Sequence, residues 1–230
     1  MKKTNSNIKV LIACEYSGIV RDTFTKAGFD ATSCDLLPTE KKGKHYQGSI
    51  FDIVNNNWDL LIAHPPCTYL SSAGLHLCNI ENYGQKAIDR IKNRNKAIEF
   101  FLDLYNLPIK HICIENPLGH ISANILKPTQ IIHPYYFGER EMKRTALWLK
   151  NLPPLEYKMS NDLFGSKTAT DKPKPYQIQI QKSTGRLRNR YWTDCFVNNK
   201  LKTGKEKSKT FQSIADAMLK QWENVIKKAE

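Results

Sequence analysis

Several absences narrow what this chain can be. No apolar run approaches the roughly 20 residues that a bilayer-spanning helix needs, so no membrane partner is expected. Lysines do precede a short apolar run at the start. That run covers only residues 8–14 before the charged Glu15, so a buried strand is expected rather than a secretory leader, and a cytoplasmic location with it. The six cysteines (Cys14, Cys34, Cys67, Cys78, Cys113 and Cys195) contain no CxxC pair. His76 and Cys78 form a lone HxC with no second pair, and His111, His120 and His133 lack ligand-like spacing. No metal site and no disulfide framework are therefore expected, and the thiols read as buried or functional. A GxGxxG turn is missing as well, which argues against a pyrophosphate-bearing cofactor.

What the chain has in excess is positive charge. Thirty-five Lys and Arg against 22 Asp and Glu give a formal +13, which favours a polyanionic partner. Between Lys182 and Lys209 nine basic residues face only Asp194 and Glu206, a concentration suited to nucleic acid. Within it, Lys182, Arg186, Arg188 and Arg190 stand beside Tyr191 and Trp192, joining phosphate-neutralising charge to stacking rings. An exposed basic hairpin with packing aromatics is the structural alternative.

The first half alternates strand and helix signals: strands at 8–14, 29–35, 59–63 and 110–115, helices at 18–27 and 82–105. A further strand is expected at 143–150 and a closing helix at 208–228, with Ser213 and Asp216 offered as its capping box. This pattern predicts an α/β fold with a mostly parallel sheet. Residues 151–207, rich in Pro, Gly and Lys, read as a small loop-rich basic insert between 1–150 and 208–230. Four polar motifs (EYSG, CDLLP, HPPC and ENP) fall at strand carboxyl ends, where open α/β sheets bind ligands.

Each motif fits one kind of chemistry. Carbon 5 of cytosine becomes nucleophilic only after something adds to carbon 6, and a thiolate on a stiff turn does this well. Two prolines hold Cys67 on such a turn, where a lowered pKa or a nearby base is expected. A buried cysteine in a proline turn is the plain alternative. Glu115, on the next strand, is placed to hydrogen-bond the Watson–Crick edge of the base. Glu15-Tyr16-Ser17-Gly18 forms a glycine turn ahead of a helix, and Asp35 ends the second strand, where an acid commonly takes a ribose diol. Together they suit a nucleoside cofactor without phosphates, such as S-adenosylmethionine.

EYSG, PPC, ENP, FGEREMKRTALWL and the closing KSKTFQSIADAMLKQW together resemble the DNA cytosine-C5 methyltransferase family, in its small phage- and prophage-type branch. The resemblance implies a Rossmann-like class I S-adenosylmethionine-dependent methyltransferase fold, in which 1–150 and 208–230 bind the cofactor and 151–207 is a target-recognition-like insert. It implies Cys67 as nucleophile, Glu115 as the base-recognising acid and Asn116 as the residue ordering the catalytic turn. Lys143 or Arg144 holds the target phosphate or the catalytic loop; Arg144 is assigned to catalysis and Lys143 to nucleic acid. Glu15, Tyr16, Ser17, Gly18, Asp35, Leu36, Ile50, Asp52 and Pro65 are the implied cofactor contacts. The partner implied is DNA, with a monomeric protein in the host cytoplasm if a phage encodes it. The sequence has PCT where the family has PCQ, and ENP where it has Glu-Asn-Val. Its insert is short, so the same chemistry on RNA or free nucleotide, or a silent nucleic-acid-binding module, stays open.

Overall fold

A computed structural model describes residues 4–157, 159–161, 167–169, 172–175, 177–180, 185–190, 196–197, 200–201, 206 and 208–228. Its centre is a seven-stranded mixed sheet in an α/β arrangement compatible with a Rossmann-like fold. The strands are β1 (Lys9–Ala13), β2 (Asp30–Asp35), β3 (His45–Gln47), β4 (Leu60–Ala63), β5 (His111–Pro117), β6 (Gln130–Ile132) and β7 (Thr145–Lys150). They lie in the order β3-β2-β1-β4-β5-β7-β6. All neighbours from β3 to β5 are parallel, and β7 runs antiparallel to both β5 and β6.

The central strands are apolar on both faces because both faces are covered, and alternate residues serve opposite layers. Val10, Ile12, Leu60, Ile62 and Cys113 pack with helices α1 (Ile19–Lys26) and α4 (Gln212–Ile226). Leu11, Ala13, Leu61, Ala63, Ile112 and Ile114 meet Phe101 and Leu104 of α3 (Gln85–Tyr105) on the other side. There Phe101 meets the β7 residue Trp148 edge-to-face, with ring centroids 4.9 Å apart.

The long helix expected at 82–105 is divided. A single turn, α2 (Ile80–Tyr83), ends at Gly84, whose φ of +50° breaks the helix before α3 begins. Strands β3 and β6 carry no periodic signal at three residues each, and neither was foreseen. The capping box expected at Ser213 and Asp216 does not form. Helix α4 starts two residues earlier than that cap requires, behind Phe211, and the Ser213 hydroxyl is buried with no partner among the described residues. Gln212 instead donates to both Asp216 and Thr23. A capping box does form at Ser49 and Asp52, on the short turn after β3.

The core also runs past residue 150. Leu152 and Leu155 are buried against α4, and the Trp222 indole donates to the Pro153 carbonyl at 3.0 Å. Beyond them, the segment expected to be loop-rich contains three antiparallel hairpins: 159–161 with 167–169, 177–180 with 187–190, and 196–197 with 200–201. Among the described residues, no helix is long and apolar enough to cross a membrane. Because Trp222 is fully buried and ties α4 to the chain leaving β7, Trp222→Ala should cost about 3–5 kcal/mol, read as a lower midpoint in urea unfolding.

Candidate active site

Parallel pairing of β4 with β5 sets Ala63 against Ile114, so the next residues, His64 and Glu115, emerge side by side. The His64 Nδ1 lies 2.9 Å from the Glu115 Oε2, and both side chains are about nine-tenths buried. One residue further on, the Asn116 side-chain amide donates to the Pro65 carbonyl at 2.7 Å. That bond ties the proline turn to the end of β5. The turn then closes on itself, as the Leu70 and Ser71 amides both donate to the Cys67 carbonyl.

Two more elements fix the Cys67 loop. From α3, Arg90 donates to the carbonyls of Thr68 and Gly74 while its guanidinium covers the Tyr69 ring. From the loop after β5, the His120 amide donates to the Leu70 carbonyl, and Ser71 pairs with Gly119. A Cβ on Gly119 would collide with the Leu70 carbonyl, so only glycine permits this approach.

Cys67 opens on a cavity of about 440 Å³ at the strand carboxyl ends. Its walls come from Cys14 to Ser17 after β1, Asp35 after β2, His64, Pro66 and Thr68 after β4, and Ser208 to Thr210 ahead of α4. A smaller cavity of about 170 Å³ shares Cys14, Asp35 and Pro66 with it and adds Leu36, Ile50 and Phe100. Leu36, 74% exposed, forms an apolar wall of this cavity.

The EYSG turn is built around Glu15. Its carboxylate accepts from the amides of Val20 (2.7 Å) and Arg21 (3.2 Å) and from the Ser17 hydroxyl. A buried acid at the amino end of α1 complements the free N–H groups there. Glu15 therefore shapes the turn, with its carboxylate spent on capping. Gly18 adopts φ +72°, and Cys14, a non-glycine residue, is held at φ +57°. That strain, of order 1–3 kcal/mol, falls at the junction of the two cavities. Burial, with Asp35 and Cys34 nearby, pushes the Cys14 thiol up to about 12, so it is inert as a nucleophile. Arg21, fully buried, ties this turn to the loop after β2 through Ser33, Thr39 and the carbonyls of Lys41 and Lys42.

Several expectations change. Asp52 bonds the Tyr46 hydroxyl and the Ser49 amide and lines neither cavity, while Ser49 lines the smaller one. Pro65 is buried behind the turn, and Pro66 is the cavity wall. Lys143 and Arg144 face different groups. The Lys143 charge acts on Cys67 and Glu115, whereas that of Arg144, which is exposed, acts on His133 and Tyr136. Of the two, Lys143 is the one whose charge reaches Cys67 and Glu115. Arg186 is exposed, and Arg188 and Arg190 sit in a hairpin strand. Lys182, Tyr191 and Trp192 lie outside the described residues.

His64, Ser208, Lys209 and Thr210 were missed. The histidine was visible in HPPC, but the prolines and cysteine absorbed its meaning. The other three are 140 residues away in sequence, and only folding brings them in: the Tyr16 hydroxyl bonds that of Ser208 at 3.3 Å, and Lys209 pairs with Glu40 at 2.6 Å. Among the described residues, no group of three or more His, Cys, Asp or Glu could hold a metal ion. The chain matches no protein-family model and no curated protein.

Electrostatics set the resting proton positions. Burial and the Glu115 carboxylate push the Cys67 thiol above its usual value, and Lys143 and a backbone bond offset this only in part. Of the two aids expected for Cys67, a lowered pKa or a nearby base, the first is not met: at neutral pH it rests as a thiol, with His64 lining the same cavity. Burial alone would raise Glu115, but Lys143 and the His64 bond outweigh it and keep the carboxyl below its usual value. Iodoacetamide labelling of Cys67, followed by mass spectrometry, should therefore keep accelerating beyond pH 9.0, the ordinary thiol value. In Lys143→Met the curve should move to still higher pH, because a charge favouring the thiolate is gone.

Proposed function

We propose that this chain is an S-adenosylmethionine-dependent methyltransferase acting on carbon 5 of cytosine in DNA. The observation that carries the reading is Cys67, on the turn after β4, within electrostatic reach of Glu115 on β5, beside two cavities that share Asp35. A thiol and a buried carboxylate within electrostatic reach of each other are what addition to carbon 6 and recognition of the base edge require. The strand order, with one reversed strand between β5 and β6, accords with the class I methyltransferase fold.

The residues present fit the cofactor. Asp35 gives the wall acidic character, and Lys209 is tied to Glu40, so the site suits a cationic, phosphate-free nucleoside. Asp35 at the end of β2 would take the ribose diol, with one carboxylate oxygen already fixed by the Leu37 amide. Leu36, Ile50 and Phe100 would hold a planar base, which would cover the exposed Leu36. When bound, S-adenosylmethionine supplies an electrophilic methyl group on a sulfonium centre.

In this reading Cys67 adds to carbon 6 from the floor of the larger cavity. Glu115 holds N3 and the exocyclic amine, and Asn116 keeps the proline turn at a fixed height. The Lys143 ammonium balances the charge that two sulfur- and oxygen-centred anions would create together. A cytosine in a duplex must leave the stack to reach this thiol. The basic hairpins beyond residue 157 supply phosphate contacts.

Incubation with methyl-labelled S-adenosylmethionine and cytosine-containing DNA, then digestion to nucleosides, should place the label on carbon 5. Cys67→Ser should lower transfer by more than about 100-fold. Label on the exocyclic amine, or transfer undiminished in Cys67→Ser, contradicts the proposal. Label on RNA alone moves the acceptor class, and salt-sensitive binding without transfer removes the enzyme.

A further inference from the structure

We infer that His64 relays a proton from Cys67 to Glu115, and through it to N3 of the bound cytosine. The inference rests on the reading of the site as one for cytosine addition. It begins with a mismatch that reading leaves in place. Attack on carbon 6 needs a thiolate, and the displaced electron pair needs a proton at N3. The resting site holds the opposite: a protonated Cys67 and an ionised Glu115. One proton moved between them corrects both, and His64 stands on the route.

His64 meets Glu115 directly and shares a cavity with Cys67. His64 and Cys67 flank the two prolines of one turn and line the same cavity. The Glu115 carboxylate lies 2.9 Å from Nδ1, so in the neutral ring with its proton there Nε2 is the acceptor. That Nε2 is buried and has no hydrogen-bond partner among the described residues. A buried acceptor without a donor carries an uncompensated desolvation cost, as is met at sites where a group is held ready for chemistry. Other groups facing the histidine are the Thr210 hydroxyl, 3.5 Å from Nδ1, and the charge of Lys143, with Glu15 and Asp35 across the cavity.

The step balances without an outside base. As Sγ bonds to carbon 6, the S–H bond breaks and its proton passes to Nε2. Nδ1 gives its proton to Glu115, which gives one to N3, where the electron pair displaced from the carbon 5–carbon 6 double bond is taken up. His64 ends as its other tautomer and Glu115 as a carboxylate. An S–H bond and one ring π bond are exchanged for an S–C and an N–H bond, the remaining double bond lying between carbons 4 and 5.

The test follows covalent capture of DNA bearing 5-fluorocytosine, with S-adenosylmethionine present, by denaturing gels across the pH range. His64→Asn keeps an N–H donor for Glu115 but cannot pass a proton, and His64→Gln serves as a second variant should the first melt early. In the wild type the capture rate should be nearly level through neutral pH, because the thiol proton is transferred internally. In the variants it should be at least roughly tenfold slower at pH 7.5 and climb about tenfold per pH unit, since hydroxide must then make the thiolate. Capture in both variants with the wild-type rate and profile would overturn the relay and leave the proposed chemistry standing. A uniform loss at every pH would also overturn it, as a positioning defect. No capture by the wild type would overturn the cytosine reading itself, and the relay with it.

Discussion

The parallel register between β4 and β5 is the constraint on which the whole site depends. With Ala63 opposite Ile114, His64 meets Glu115 and the Pro65 carbonyl meets Asn116 in one stroke. A slip of one residue would separate both pairs and turn the buried face of each strand the wrong way. The apolar residues Leu60 to Ala63 and Ile112 to Ile114, almost wholly buried, are what forbid that slip. Core packing and active-site geometry are therefore the same requirement. The antiparallel pairing of β5 with β7 adds to it, since Pro117 opposite Thr145 brings the chain at Lys143 to the same strand end.

Around this centre, charged side chains hold the loops. Glu15 caps α1, Arg21 anchors the loop after β2, and Arg90 anchors the loop that follows Cys67. Arg21, fully buried, divides its bonds between side chains and carbonyls, the partners that burial of a charge requires. Glu15 caps its helix while also lining the cavity, beside Asp35, His64, Cys67 and Lys209. The charges of Glu115 and Lys143 act on Cys67 in opposite senses.

Much of this was legible in the sequence, and the reasons are local. A buried parallel strand announces itself as a continuous apolar run, and β1, β4 and β5 are such runs. A polar motif directly after each run marks the ligand end of the sheet, which is how Cys67, Glu115, Asn116, Gly18 and Asp35 were singled out; Cys67 and Asp35 line the larger cavity, and Gly18 lines neither. Three-residue strands have no period to detect, so β3 and β6 were invisible. Neighbours in sequence can also point to different surroundings. Lys143 and Arg144 differ only in which side of the approach to β7 they occupy, and Pro65 and Pro66 only in which side of the turn. Composition registers neither. The insert's charge was equally plain, while its hairpins, short and polar, resembled loops.

The cavity beside Cys67 takes one wall from residues 208–210 and its floor from residues 64–68. During synthesis the Cys67 turn can be complete while that wall has still to be made. The cavity closes only once α4 is seated, with Trp222 against Pro153. A nascent chain that has not yet reached α4 would carry the Cys67 turn beside an open trench. Enclosure of the thiol is in this way tied to the progress of translation, by topology alone.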